Sequence, residues 1–285
     1  MRKIAILIGR VIKILLVLIR YNSYSSMSEE KLGIFWKKSC RCIVYGVIKG
    51  YRSPYLLGAV IAALQAKKLQ YPKVYFFEFG VASGGGLLEL AAIGKIIRKE
   101  LSIDVEVIGF DNGTGLPNID GYKDHPEIWK YSQFAMADRG LLLKKLEEIG
   151  GDLIIGDVKD TVPRFMETIQ SGSVIGFCSI DVDLYSSTVP IFKSFKKVES
   201  SALLPATVFH FNDVISNWTY SEYTGEYAAA QEFNQNENNR KFELKDKVNK
   251  LFALHVFDHH IRQKGIDSGE LLEIPYDLLI KMTKW

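Results

Sequence analysis

The chain predicts an α/β fold, a doubly wound and mostly parallel sheet preceded by a helical N-terminal cap and a basic amphipathic N-terminal helix. Three observations carry this expectation. From Val74 onward, short β-branched and aromatic runs alternate with segments of helical period. The first run, Val74–Phe79, breaks into Gly80, Gly84, Gly85 and Gly86 and then resumes with helical spacing, so strand, tight turn and helix follow one another. Acidic residues also follow the later predicted strands, as a row along one edge of a sheet.

With 285 residues, 47% of them hydrophobic, the chain can bury one large core. It divides into residues 1–22, a helical cap over 23–71 and a sheet domain over 72–285. A formal net charge of +3, concentrated near the start, leaves no basic stripe and excludes nucleic acid as the partner. Cys40, Cys42 and Cys178 are odd in number and complete no zinc spacing, which points to a reducing, cytoplasmic compartment.

The opening MRKIAILIGRVIKILLVLIR sets basic residues at positions 3, 10, 13 and 20, one stripe of a helix whose other faces are apolar. Arg10 and Lys13 interrupt the roughly 20 apolar residues a crossing helix needs, so residues 1–22 read as a helix lying in a membrane surface. A helix packed on the protein itself, or on a second subunit of a homo-oligomer, is the alternative. In the cap, Ser53-Pro54 suits an N-cap followed by proline, and the apolar Tyr55–Leu69 ends before Tyr71-Pro72.

Strands are predicted near Val74–Phe79, Val105–Phe110, Leu153–Ile155, Val174–Ile180 and Thr207–Phe211. Helices fall near Gly86–Glu100, Arg139–Ile149, Thr161–Gln170 and Thr188–Val198, and Leu251–Phe257 with Tyr276–Met282 forms a terminal strand pair. Asn234–Arg240 reads as a polar surface loop. Gly121–Ala137, long and rich in aromatics and charges, is either a substrate lid or an ordinary surface loop.

Glu78 lies just inside the first strand; Asp111, Asp157, Asp181 with Asp183, and Asp213 follow the next four. Strand ends of an open α/β sheet share one crevice, and carboxylates gathered there repel unless a cation joins them. Asp157 alone is equally well read as a helix cap. The helix after the glycine turn starts with unpaired N–H groups and can receive an anion. Read as Gly80-x-Ala82-x-x-Gly85, the turn approximates a dinucleotide fingerprint, with Ala82 where a glycine would let a pyrophosphate approach.

The motifs FEFGVASGGG, IGFDNGTGLP, CSIDVDLYSST and VFHFND, in that order over Val74 to Val214, resemble the class I S-adenosylmethionine-dependent methyltransferases with their Rossmann-like sheet. Within that class they resemble the macrocin O-methyltransferase-like family, which methylates sugar hydroxyls. The resemblance implies S-adenosyl-L-methionine as cofactor, with the Gly80–Gly86 loop, including Ser83, Gly84 and Gly85, about its methionine part and Glu78 among the residues that bind it. Asp111 would accept from the ribose hydroxyls, and Gly156 and Asp157 would lie near the adenine. It implies Mg2+ at Asp181, Asn212 and Asp213, with Asp183 as general base and a small-molecule or lipid-linked saccharide as substrate. Asn212 stands where the family usually has aspartate, and an amide oxygen lacks the charge that tightens a hard cation.

His210, beside Asn212 and Asp213, is the rival base, although an alternating strand side chain can equally point into the core. Two other functions stay open: a nucleotide-dependent oxidoreductase, disfavoured by Ala82, and a non-catalytic interaction protein at a membrane, favoured by Asn212. On the leading reading the protein is cytoplasmic, peripheral on the inner membrane surface.

Overall fold

The computed structural model describes residues 50–214 and 220–263. The expectations for residues 1–22, for the cap before residue 50 with Cys40 and Cys42, and for a strand at Tyr276–Met282 lie outside the described residues.

Seven strands form one sheet: β1 Lys73–Phe79, β2 Asp104–Asp111, β3 Asp152–Ile155, β4 Ser173–Ile180, β5 Leu203–Phe211, β6 Arg240–Asp246 and β7 Leu251–Val256. Their order is β3-β2-β1-β4-β5-β7-β6. β1 to β5 are parallel, and β7 runs antiparallel to both β5 and β6. The chain reverses direction of winding between β1 and β4, which opens a crevice at the carboxyl ends of those two strands.

Helices cover both faces. On one lie α1 Ser53–Lys68, α2 Gly85–Leu101 and α3 Arg139–Ile149; on the other lie α4 Val158–Met166, α5 Tyr185–Lys197 and α6 Gly225–Asn236. A short α7, His260–Gln263, ends the described chain. β1 shows why its run is apolar throughout: Val74 and Phe76 enter the first core, while Tyr75, Phe77 and Phe79 enter the second. Glu78 falls by the same alternation on the first face, beneath α1 and α2.

Helix α1, assigned to the cap, packs directly on the sheet. Its Gln65 amide exchanges two hydrogen bonds with the Ala206 backbone of β5, at 2.9 and 3.1 Å. Ser53 is the first residue of α1, not its cap; Arg52 holds the cap position and makes no side-chain capping bond. Helices α4 and α5 each begin three residues before the sequence predicts, at Val158 and Tyr185. β7 pairs antiparallel with β6 on one side and β5 on the other, and Asn234–Asn236 of the expected loop belongs to α6. β6 carries five charged residues in RKFELKD; its inward face alternates Arg240, Phe242, Leu244 and Asp246, so only two of the four are apolar.

Candidate active site

At the strand ends lies a crevice of about 540 Å³, bordered by the glycine turn, the ends of β2, β4 and β5, and Arg52 of the α1 cap. Gly80 adopts φ +85°, and a Cβ there would meet the Asp181 carbonyl oxygen at 1.8 Å, so only glycine lets β1 and β4 end side by side. Asp111 organises the turn. Its Oδ2 accepts from Val81 N–H at 2.8 Å and Ala82 N–H at 2.9 Å, and its Oδ1 accepts from Gly113 N–H at 2.6 Å.

Those bonds disfavour the dinucleotide reading. Two amides of the turn are already held by a carboxylate, and Ala82 takes φ +47° to present one of them. They also revise Asp111: beyond any part in meeting a ribose, it pins the loop, with little acceptor capacity left.

Glu78 borders the crevice but is buried, with Tyr55 O–H donating to its Oε1 at 2.6 Å and no hydrogen-bond partner for Oε2 among the described residues. Burial, with the Asp181 charge adding, pushes its carboxyl up to about 8 despite the Tyr55 bond and Arg52, which lower it. Arg52 supplies a cation the sequence reading missed; its backbone N–H donates to Glu89, and its Nε lies 3.4 Å from Glu89 Oε2.

His210 is corrected as a base candidate. It does not line the crevice; its ring packs edge-on against Tyr55, and its Nδ1 lies 3.1 Å from Ser179 Oγ. Burial, then the Lys250 and Arg52 charges, lower it to about 3, so it is neutral.

The acids after β4 and β5 do converge. Asp181, Asp183 and Asp213 each offer an oxygen within 4.8 Å of the others. Asp183 reaches the group through a tight turn, Leu184 N–H to Val182 O at 2.6 Å, with φ +62° at Asp183 itself. Asp181 is pushed up to about 7 by burial and then by Asp213. Asp183 is raised further, by burial first, then by Asp213 and Asp181.

Asn212 differs from expectation. Its Nδ2 donates to Asp181 Oδ1 at 2.7 Å and faces Asp213 Oδ2 at 3.5 Å, so it bridges the two carboxylates as a donor and not as a cation's oxygen ligand. An amide N–H between two carboxylates offsets their repulsion. Behind them, Tyr220 O–H donates to Asp213 Oδ1 at 3.1 Å, and the buried Glu226 accepts from Asp213 N–H at 3.2 Å. Neither was singled out from sequence, nor was the helix α6 that carries Glu226 in its first turn, directly after Gly225.

Asp157 caps α4, accepting from Lys159 N–H at 3.0 Å, and borders the crevice beside Gly156, whose φ is +148°. Ser83, Gly84 and Gly85 form the turn, with Gly84 at φ +86° as the cap of α2. The Gly121–Ala137 segment meets the crevice through Trp129, Gln133 and Phe134. Its other end is fastened by Asp124, which accepts from Ser186 N–H and Ser186 O–H, each at 2.7 Å.

No protein-family model and no curated protein matches the chain. Solved structures do. The calicheamicin methyltransferase CalS11 aligns with a TM-score of 0.53 at 20% identity, over 82% of this chain and 95% of that one. The O-methyltransferase NovP aligns with a TM-score of 0.50 at 14% identity, over 71% and 80%. The fold is a Rossmann-like methyltransferase fold. The methyltransferase-like sheet accounts for the acids at the ends of β4 and β5 sharing one crevice with the glycine turn.

Proposed function

We propose that the protein is an S-adenosylmethionine-dependent O-methyltransferase acting on a hydroxyl of a small-molecule or lipid-linked saccharide. The observation that carries the reading is the convergence of Asp181, Asp183 and Asp213 in the crevice that also contains the glycine turn. The resemblance of the four motifs and the methyltransferase fold support it.

The residues fit both the cofactor and the cation. Glu78 Oε2, buried and without a partner, suits an ammonium, while Arg52 and the first amides of α2 suit a carboxylate, which together describe an amino-acid end. Three carboxylate oxygens suit a hard divalent cation such as Mg2+. Asp181 and Asp213 would hold it, with Asp183 beside them; Asn212 would have to turn its amide oxygen inward to join. When bound, S-adenosylmethionine supplies the methyl group, and the cation lowers the pKa of the acceptor hydroxyl.

The chain's own part is alignment and proton removal. The glycine turn and Asp111 fix one reactant, and Trp129 and Phe134 border the space for the other. Asp183, freed of its proton once repulsion from Asp181 and Asp213 is relieved, takes the hydroxyl proton. Calorimetry with S-adenosylhomocysteine and NADH, followed by methyl transfer to candidate glycans, tests the reading. Binding of NADH without S-adenosylhomocysteine would reject it.

Peripheral membrane contact through residues 1–22 belongs to the same proposal, supported by their basic stripe. No helix among the described residues is long and apolar enough to cross a membrane. Deleting residues 1–22 should release the protein from anionic vesicles while leaving S-adenosylhomocysteine binding intact; continued sedimentation with vesicles would count against it.

A further inference from the structure

Four buried groups form a chain of hydrogen bonds that runs in one direction. Tyr55 O–H donates to Glu78 Oε1 at 2.6 Å, and Ser179 O–H donates to the Tyr55 oxygen at 3.1 Å. Ser179 has one proton, committed to Tyr55, so the contact of its Oγ with His210 Nδ1 at 3.1 Å needs Nδ1–H as the donor. A His210 ring carrying its proton on Nδ1 meets that need. Every donor in the series therefore points toward Glu78, the terminal acceptor, and such chains strengthen each bond in turn.

The carboxylate is also fixed from above. A Cβ on Gly86 would stand 1.9 Å from Glu78 Oε1 and 2.9 Å from the Tyr55 oxygen, so the first turn of α2 closes over that oxygen. Oε1 is thus committed, while Oε2, on a residue that borders the crevice, is buried and has no partner among the described residues. We propose that Tyr55, backed by Ser179 and His210, is a positioning residue that holds Glu78 with Oε2 presented to the ammonium group of a bound amino-acid end. This rests on the cofactor reading above, and it gives His210 a place behind the cofactor in place of the role of base.

The test compares S-adenosylhomocysteine with 5′-methylthioadenosine, which keeps the adenosine and sulfur but lacks the amino acid. Tyr55→Phe leaves the ring edges against Phe177 and His210, at centroid distances of 5.9 and 5.6 Å, and removes only the hydroxyl. Measured by calorimetry on the full chain, it should weaken S-adenosylhomocysteine by on the order of tenfold and leave 5′-methylthioadenosine within about twofold. Ser179→Ala breaks the chain one step further back and should give a smaller loss of the same selectivity. Melting temperatures check folding; should Tyr55→Phe fail to fold, Ser179→Ala and Glu78→Gln decide by the same ratio. Equal losses for both ligands, or none for either, overturn the proposal, as does a Glu78→Gln protein with the wild-type ratio. A wild-type protein that binds neither compound overturns the cofactor reading and this proposal together, whereas binding of both with an unchanged ratio overturns the proposal alone.

Discussion

Asp183 combines a left-handed backbone, φ +62°, with a buried carboxyl, and strain of this kind persists only where the surroundings hold it. Asparagine tolerates that backbone and keeps the shape while losing the proton acceptor. Asp183→Asn should therefore lower turnover by roughly 10²–10⁴-fold with S-adenosylhomocysteine affinity retained; full activity in a methyl-transfer assay would remove Asp183 as base. Asn212→Asp changes a donor between two carboxylates into a third charge. It should lower the melting temperature in chelator and raise magnesium affinity by calorimetry; no change in either would separate Asn212 from the ion. The acids themselves were legible because each follows a predictable strand. The donor role of Asn212 was not, since which way an amide faces depends on partners brought in from β4 and the loop after β5. Tyr55 was hidden for a similar reason: within an apolar helix its hydroxyl gave no sign of the strand residues it meets.

Among elements, the central strands β1 and β4 could be read because burial on both faces makes their sequences almost continuously apolar. β6 escaped because charged side chains replace that signal along it, whereas β3, at the other end of the sheet, keeps the apolar Leu153–Ile155. The segment between β2 and α3 shows what a loop can do once fastened at a helix start. Asp124, wholly buried, caps α5 from outside the helix through Ser186, at the helix that follows directly from Asp183. Lys123 adds a contact over the Tyr185 ring, 4.4 Å from its centroid, and an ion pair with Glu232 of α6 at 3.0 Å. The ion pair is partly exposed and contributes little; the buried cap dominates. Asp124→Ala should cost about 1–2 kcal/mol in urea unfolding and raise KM for the acceptor, because the segment bearing Trp129 and Phe134 loses its anchor. Asp124→Asn should recover part of the stability, and an Asp124→Ala protein with unchanged KM would reduce this segment to an ordinary surface loop.

For the molecule as a whole, the crevice carboxyls make stability depend on pH in an unusual direction. Burial lifts Glu78 from 4.5 to about 8, and burial together with Asp213 lifts Asp181 from 3.8 to about 7. Each group binds its proton more tightly in the folded chain than in the unfolded one. The resulting stability is fully present below the unfolded pKa and is lost as pH rises through the folded value, from 4.5 to about 8 for Glu78 and from 3.8 to about 7 for Asp181. In chelator and without cofactor, the melting temperature should fall between about pH 5 and pH 8, by an amount on the order of a few kcal/mol in stability. Proteins whose carboxylates are paired when folded show the opposite slope. Glu78→Gln has no proton to lose and should flatten the upper part of the fall. Magnesium with S-adenosylhomocysteine should restore stability most at the alkaline end, because cationic groups then stand where protons stood. A melting temperature that rises across the window in chelator would mean that these carboxyls are ionised and paired in the folded chain, and the ammonium and cation sites argued from their isolation would lose their physical basis.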